Sequence, residues 1–257
     1  MSDAAHPVLS VRALSRTLGD GAFTLDVSGI DLHAGEGLAV VGESGSGKST
    51  LLGLLALALA PERAEHFVLH PPQAAPVDLA ALWHAHRLET ITRLRGRLIG
   101  FMPQTGLLLP FLSIGANIAL PLTILGMRVG NRPVRLAQQL GIGHLLDRRP
   151  HEVSVGQRQR AALARALITA PALLLADEPT ASLHPTQAAN AMQLLVAAAE
   201  TTRAALVVAT HDEALARSAG LAVARLVSDA DGSARSQFGW TGGGARTSPP
   251  AAAGDAQ

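Results

Sequence analysis

Gly42-Glu43-Ser44-Gly45-Ser46-Gly47-Lys48-Ser49-Thr50 joins small, flexible residues to a lysine and two hydroxyls, the set that can hold a polyphosphate. Gly42, Gly45 and Gly47 allow positive φ and let the backbone approach phosphate oxygens without a Cβ clash. Backbone N–H groups along the stretch then point inward as an anion nest, reinforced by the N-terminus of the helix that follows. Lys48 is placed to bridge β- and γ-phosphates, and the Ser49 hydroxyl to ligate Mg²⁺. Lys48 is the one lysine among 21 basic residues, in a chain that otherwise uses arginine. A guanidinium is planar and bulky, whereas this loop needs a compact ammonium on a flexible stem. These residues imply a nucleoside triphosphate site.

A second pair of groups lies far downstream. Leu173-Leu174-Leu175-Ala176-Asp177-Glu178-Pro179 sets two adjacent acids at the C-terminal end of an apolar run. In an open α/β sheet that edge is where ligands bind. Asp177 is suited to hold Mg²⁺, and Glu178 to polarise an attacking water. Val207-Val208-Ala209-Thr210-His211-Asp212 repeats the arrangement, so His211 can meet the γ-phosphate or orient Glu178 and its water.

The elements that carry these groups follow from periodicity and punctuation. Residues 8–13 and 23–32 alternate as two strands of an antiparallel edge, with a turn at Gly19-Asp20-Gly21. Residues 38–41 form an apolar strand before the phosphate loop, and residues 48–59 the helix after it, stopped by Pro61. Residues 67–70 suggest a further strand, residues 79–97 a helix and residues 98–102 another strand. Gly and Pro then break the chain from residue 104 to 150 into short helices, and residues 158–169 make a strong one. Residues 172–176 and 205–209 are unbroken apolar runs, as expected of parallel strands buried on both faces, joined by a helix over 187–199.

Composition excludes several classes. The 257 residues are 48% hydrophobic and contain no cysteine, so neither a disordered chain nor a disulfide or thiolate-metal framework fits. A net charge of +1 provides no broad basic field for nucleic acid. No secretory signal opens the chain, and prolines and glycines interrupt the apolar stretch 102–127, so a soluble, cytoplasmic protein is expected. His66, His70, His84 and His86 read as exposed histidines rather than a metal site.

Taken in order, the phosphate loop, Gln104 after a strand, Ser154-Val155-Gly156-Gln157 before a helix, Asp177-Glu178 and His211 resemble the nucleotide-binding subunit of an ABC transporter. Ile99-Gly100-Phe101-Met102-Pro103-Gln104 and Asn117-Ile118-Ala119-Leu120-Pro121-Leu122 are similar to the subgroup serving lipoprotein release and macrolide export. The resemblance implies an α/β P-loop NTPase with a mainly parallel central sheet, an antiparallel β edge subdomain and an inserted helical subdomain of about residues 104–170. It implies a single domain over residues 1–238, and composition adds a disordered tail over 239–257. It implies ATP and Mg²⁺ as ligands, with Gln104 touching the metal and the attacking water. In the family two subunits sandwich ATP head to tail, and the resemblance implies that Ser154, Gly156 and Gln157 of one face the γ-phosphate held by the other. The implied partners are a second subunit, most simply a copy of this chain, and a membrane permease, which places the protein on the inner face of the membrane.

The chain departs from the family pattern in three places. Val155 stands where a glycine is usual, and a β-branched side chain disfavours φ > 0. Ala181-Ser182-Leu183-His184 lacks the usual Asp. The adenine-stacking tyrosine is missing, leaving Leu18 or Phe23 in its place. These departures motivate an alternative function, a nucleotide-binding regulatory subunit with little hydrolysis. A chromosome or DNA-repair ATPase is disfavoured because no heptad segment is present.

Overall fold

The structure is a computed structural model, and it describes residues 7–19, 23–72, 74–104, 107–181, 183–228 and 235–241. The chain opens with antiparallel strands β1 (Leu9–Leu18) and β2 (Phe23–Leu32), paired from Leu9↔Leu32 to Leu18↔Phe23. Alternation buries Leu25 and Val27, then slips by one residue across Ser28-Gly29 so that Ile30 and Leu32 are buried. Residues 20 and 21 of the expected turn lie outside the described residues. Strand β3 (Gly37–Val41) then leads through the phosphate loop into α1 (Lys48–Leu55). The helix stops four residues short of expectation. Leu57 takes φ 55°, and the N–H groups of Leu57 and Ala58 bond back to the carbonyls of Leu54 and Gly53, closing the helix in a Schellman arrangement.

Strand β4 (Arg63–Leu69) extends the edge sheet beside β1, and the short β5 (Val77–Asp78) completes that side. The single helix expected over 79–97 is two: α2 (Leu79–His84) and α3 (Leu88–Leu98). His86 at φ 49° makes the corner, with its N–H bonded to Trp83 O and that of Arg87 to Leu82 O. A histidine in the place glycine usually takes hid this break from the sequence. His66, His84 and His86 are exposed, whereas His70, also expected to be exposed, is half-buried just past the end of β4; among the described residues no three His, Asp or Glu side chains converge on a metal site.

Strand β6 (Ile99–Met102) enters the second sheet, and α4 (Ile114–Ile124), α5 (Arg132–Gln139) and α6 (Val155–Leu167) follow. Strand β7 (Leu173–Asp177), α7 (Pro185–Thr202), β8 (Ala205–Thr210), α8 (Glu213–Ser218) and β9 (Ala222–Arg225) complete the parallel sheet, ordered β6-β7-β8-β3-β9. Strands β10 (Val227–Ser228) and β11 (Arg235–Thr241) return to the edge sheet, where β11 runs parallel to β2. Strand β11 therefore takes in Gly239, Trp240 and Thr241, which composition had assigned to the tail; residues 242–257 lie outside the described residues. Its bulge needs Gly239, because a Cβ there would come within 2.4 Å of Ser28 Oγ.

The parallel sheet divides two cores by strict alternation. Leu173, Leu175, Val207 and Ala209 face α1 and the edge sheet, whereas Leu174, Ala176, Leu206 and Val208 face α4, α6 and α7. Full burial of each such leucine or valine contributes about 1.5–3 kcal/mol. This two-sided burial holds the carboxyl ends of β7 and β8 beside the phosphate loop. Among the described residues no helix is long and apolar enough to cross a membrane.

One contact in this framework leaves no room. A Cβ on Gly100 of β6 would lie 2.3 Å from the Ala166 carbonyl oxygen of α6 and 3.0 Å from Pro171 Cγ. Gly100→Ala is expected to cost about 1–3 kcal/mol through forced separation of strand and helix. A thermal melt should show a drop of several degrees. An unchanged melting temperature would mean that the two elements are not packed this way.

Candidate nucleotide site

Most of the groups singled out in the sequence meet in one cleft of about 520 Å³, lined by Leu18, Phe23, the phosphate loop, Gln104, Asp177, Glu178 and His211. The loop is shaped as an anion cradle. Gly45 and Gly47 take φ 81° and 99°, and Gly47 starts α1 without any side-chain cap, so the first-turn N–H groups open toward the cleft. Gly42 does not need positive φ, contrary to expectation. Its smallness serves packing instead, since a Cβ there would meet Ser46 Oγ at 2.7 Å and the Leu226 carbonyl at 3.3 Å.

Lys48 is buried, and its Nζ donates to the carbonyl oxygens of Gly42 (2.7 Å) and Glu43 (2.8 Å). The same Nζ stands 4.0 Å from Glu178 Oε1. A buried ammonium with three fixed oxygen neighbours is a compact cation poised where a polyphosphate would rest. Ser49 and Thr50 line the same wall of the cleft, and Gln104 and Asp177 face it from the ends of β6 and β7. A hydroxyl, a carboxylate and an amide oxygen form a hard-oxygen set of the kind Mg²⁺ prefers.

Glu178 carries backbone strain. Its φ of 43° is uncommon for a residue with a branched-off Cβ, and its N–H donates to Ala209 O (2.9 Å) on β8. The turn so formed directs the carboxylate into the cleft, where the side chain keeps 15% of its surface. Glu178 Oε2 lies 2.9 Å from His211 Nδ1. His211 is held in turn by its neighbours: Thr210 is fully buried and its Oγ1 accepts from Asp212 N, while the Asp212 side chain caps α8 at Leu215 N. Glu178 is one of the two partners expected for His211, and the structure brings these two side chains into contact.

The Ser154-Gly156-Gln157 group is elsewhere. It begins α6 as a capping box, in which Ser154 Oγ accepts from Gln157 N and Gln157 Oε1 accepts from Ser154 N. It opens onto a separate cleft shared with α7, so the chain does not bring this group to its own phosphate loop. Val155 shows none of the strain expected of it. It is the first helical residue of α6, its φ is not positive, and its side chain points out at 43% exposure. Gly156 has open space around its Cα. His184 is the exposed N-cap residue of α7 and makes no side-chain cap bond.

Two contributors were not apparent from the sequence, and a third, Phe23, was one of two candidates for the base. Gln159 Nε2 donates to Pro179 O (2.9 Å), tying α6 to the strained turn after Glu178. No spacing rule links residues twenty positions apart on a helix and a loop. Asn117 is fully buried on α4 and clamps the preceding loop, accepting from Leu109 N and donating to the carbonyls of Leu109, Leu112 and Ser113. Phe23 stacks its ring edge on the phosphate loop, where a Cβ on Gly47 would come within 2.6 Å of Phe23 Cζ. Phe23 thus reaches the cleft, and a base seated beside the loop would meet its ring. Stacking on an aromatic contributes about 1–3 kcal/mol per base. Phe23→Ala is therefore expected to raise the KM for ATP roughly tenfold with kcat little changed, read from steady-state phosphate release. Equal KM values would remove Phe23 from the base site.

The sequence matches the family model described as ABC transporter over residues 25–181. The lipoprotein-releasing system ATP-binding protein LolD of Pseudomonas syringae pv. tomato is 39% identical over 223 residues, covering 84% of this chain and 93% of that protein. LolD of Xanthomonas oryzae pv. oryzae is 36% identical over 219 residues, covering 83% and 86%. Among solved structures, the dimeric ATP-binding cassette MJ0796 in a post-hydrolysis state with ADP and Pi superposes with a TM-score of 0.68 at 26% identity, covering 89% of this chain and 96% of that one. CbiO1 from Clostridium perfringens, part of the ABC transporter complex cbiONQ, gives a TM-score of 0.71 at 25% identity, covering 90% and 87%.

Proposed function

This chain belongs to the ABC transporter family, and from that premise we propose that it binds and hydrolyses ATP to power a membrane transporter of the lipoprotein-release type. The observation that carries the reading is the convergence of Lys48, Asp177, Glu178 and His211 on one glycine-lined cleft. The named role of the LolD relatives supports the transport assignment.

The chemistry follows from the positions. Incoming β- and γ-phosphate oxygens replace the two loop carbonyls at Lys48 Nζ, and the α1 N–H groups take the remaining charge. Ser49, Asp177 and Gln104 would hold Mg²⁺, which when bound neutralises charge on the phosphates. Glu178 accepts a proton from the attacking water, and His211 fixes the aim of its carboxylate through the Oε2 contact. The backbone strain at Glu178 is retained because β8 and Gln159 both hold the turn.

The second cleft, with Ser154, Gly156 and Gln157, completes the site of another subunit. Its helix N-terminus offers N–H groups to a γ-phosphate gripped by the partner's phosphate loop, which is the head-to-tail arrangement of a homodimer. The dimeric MJ0796 cassette supports this reading. Residues 107–150 carry the resulting motion to a membrane subunit, with Asn117 keeping the connecting loop attached to α4. The protein works on the cytoplasmic face of that membrane. The regulatory alternative is weaker, because the Glu178–His211 pair is assembled and Val155 is an ordinary helical residue.

Affinity capture of the full chain from detergent-solubilised membranes of its own cells tests the assignment. An integral membrane protein should come down in stoichiometric amount and raise the ATPase rate on reconstitution. Capture of no membrane protein under conditions that preserve ATPase activity would contradict the transport role.

A further inference from the structure

Charge is segregated on this molecule. Twenty acidic residues nearly balance 21 basic ones, yet no Asp or Glu occurs between Thr90 and Leu146, a stretch with six arginines. Outside it, Arg12 pairs with Asp31, Arg63 with Glu65, Arg148 with Glu152, and Arg217 and Arg225 with Glu213, whereas Arg87, Arg149 and Arg203 are exposed with no acidic partner for their side chains among the described residues. Within it, Arg93 pairs with Glu89. Arg95, Arg97, Arg128, Arg132 and Arg135 are exposed and make no side-chain hydrogen bond or ion pair among the described residues.

Neighbouring elements carry these five, with Arg95 and Arg97 flanking the contact of α3 with the end of α4 on either side. Gly96, between Arg95 and Arg97 on α3, is packed so closely on Leu125 that a Cβ would lie 2.9 Å from its Cδ2. Leu125 ends α4, and Arg128 follows three residues later. Helix α5 packs against α4, buries Pro133 and Ala137, and leaves Arg132 and Arg135 outward. Ile124 sits at the same corner with 74% of its surface exposed. Unpaired guanidinium groups around a protruding aliphatic side chain match a surface that is anionic outside and apolar beneath.

We propose that this arginine face binds the anionic headgroups of a phospholipid membrane directly, in addition to any contact the chain makes with a permease. Guanidinium forks pair bidentately with phosphate oxygens, and Ile124 enters the boundary below them. The observations favour lipid over nucleic acid because of that exposed aliphatic residue and because, among the described residues, α3, α4 and α5 hold no aromatic side chain on which a base can stack. The binding is electrostatic and weakens as salt rises.

Flotation of the full chain with vesicles, in the absence of nucleotide, tests the proposal separately from the ATPase reading. Vesicles of phosphatidylcholine with phosphatidylglycerol should bind the protein at low salt, release it at 0.5 M salt, and outcompete vesicles of phosphatidylcholine alone. Each arginine near an anionic surface is worth about fivefold in partitioning, so Arg95→Gln/Arg97→Gln/Arg128→Gln should bind about 100-fold more weakly. The Lys triple at the same positions should restore binding, which a folding defect would not allow. Arg63→Gln/Arg217→Gln/Arg225→Gln removes equal charge elsewhere and should float as the wild type does. Equal binding to both vesicle types, or by the Gln triple and the wild type, would overturn the proposal. Binding of single-stranded DNA through the same three arginines with no vesicle binding would overturn it in favour of a nucleic acid partner.

Discussion

Glu178→Gln lowers ATP turnover by about 10²–10⁴-fold, the range expected when a positioned general base is lost, and leaves ATP affinity within a few-fold. The substitution preserves shape, so the strained turn, its bond to Ala209 O and the volume of the cleft are kept. What disappears is the carboxylate charge that accepts a proton from water and pairs with His211 Nδ1 at 2.9 Å. Phosphate release and nucleotide binding measured on the same preparation separate the two effects. Turnover within threefold of the wild type would remove Glu178 from the chemistry and leave His211 without its assigned task. His211→Ala should follow in the same direction with a smaller loss, because it orients the base and does not replace it.

Lys48 carries the second large effect. Its Nζ is buried, bonded to two loop carbonyls at 2.7 and 2.8 Å, and stands 4.0 Å from Glu178 Oε1. Lys48→Ala should abolish measurable ATP binding, since no other lysine exists in the chain to substitute. Lys48→Arg is the sharper experiment. It keeps the charge but demands room for a planar five-donor head in a space fitted to an ammonium, and should reduce kcat/KM by at least about 10²-fold. Nucleotide-induced protection in a thermal melt, together with steady-state rates, reads both quantities. Wild-type kcat/KM in Lys48→Arg would mean that the loop needs charge alone.

The phosphate loop, the acid pair and the two buried parallel strands were legible because each depends on local order in the sequence. Alternation of Leu173 to Ala176 between two cores is the physical form of an unbroken apolar run. Less legible were features set by tertiary closure. His86 and Leu57 accept left-handed backbone to end helices, where sequence rules look for glycine. Gly42 is small for the sake of Ser46 and Leu226, a reason visible only once the segment after β9 and the loop lie together. Val155 looked strained when read as a glycine substitute and proves to be an ordinary first residue of α6. Gln159 could not be connected to Pro179 from spacing, yet it joins the helix that would serve a partner's nucleotide to the turn that serves its own.

That connection gives meaning to the distance between the two clefts. On the proposed function, a chain whose signature group lies apart from its own phosphate loop would be half of a site. Light scattering of the Glu178→Gln chain with ATP and Mg²⁺ tests this most directly, because blocking hydrolysis should leave the sandwich closed. A nucleotide-dependent shift from monomer to dimer is expected, lost when Gly156→Asp is added to the same chain while ATP binding persists. A dimer that forms equally well with Gly156→Asp, or an ATP-bound monomer in both proteins, would contradict the composite site.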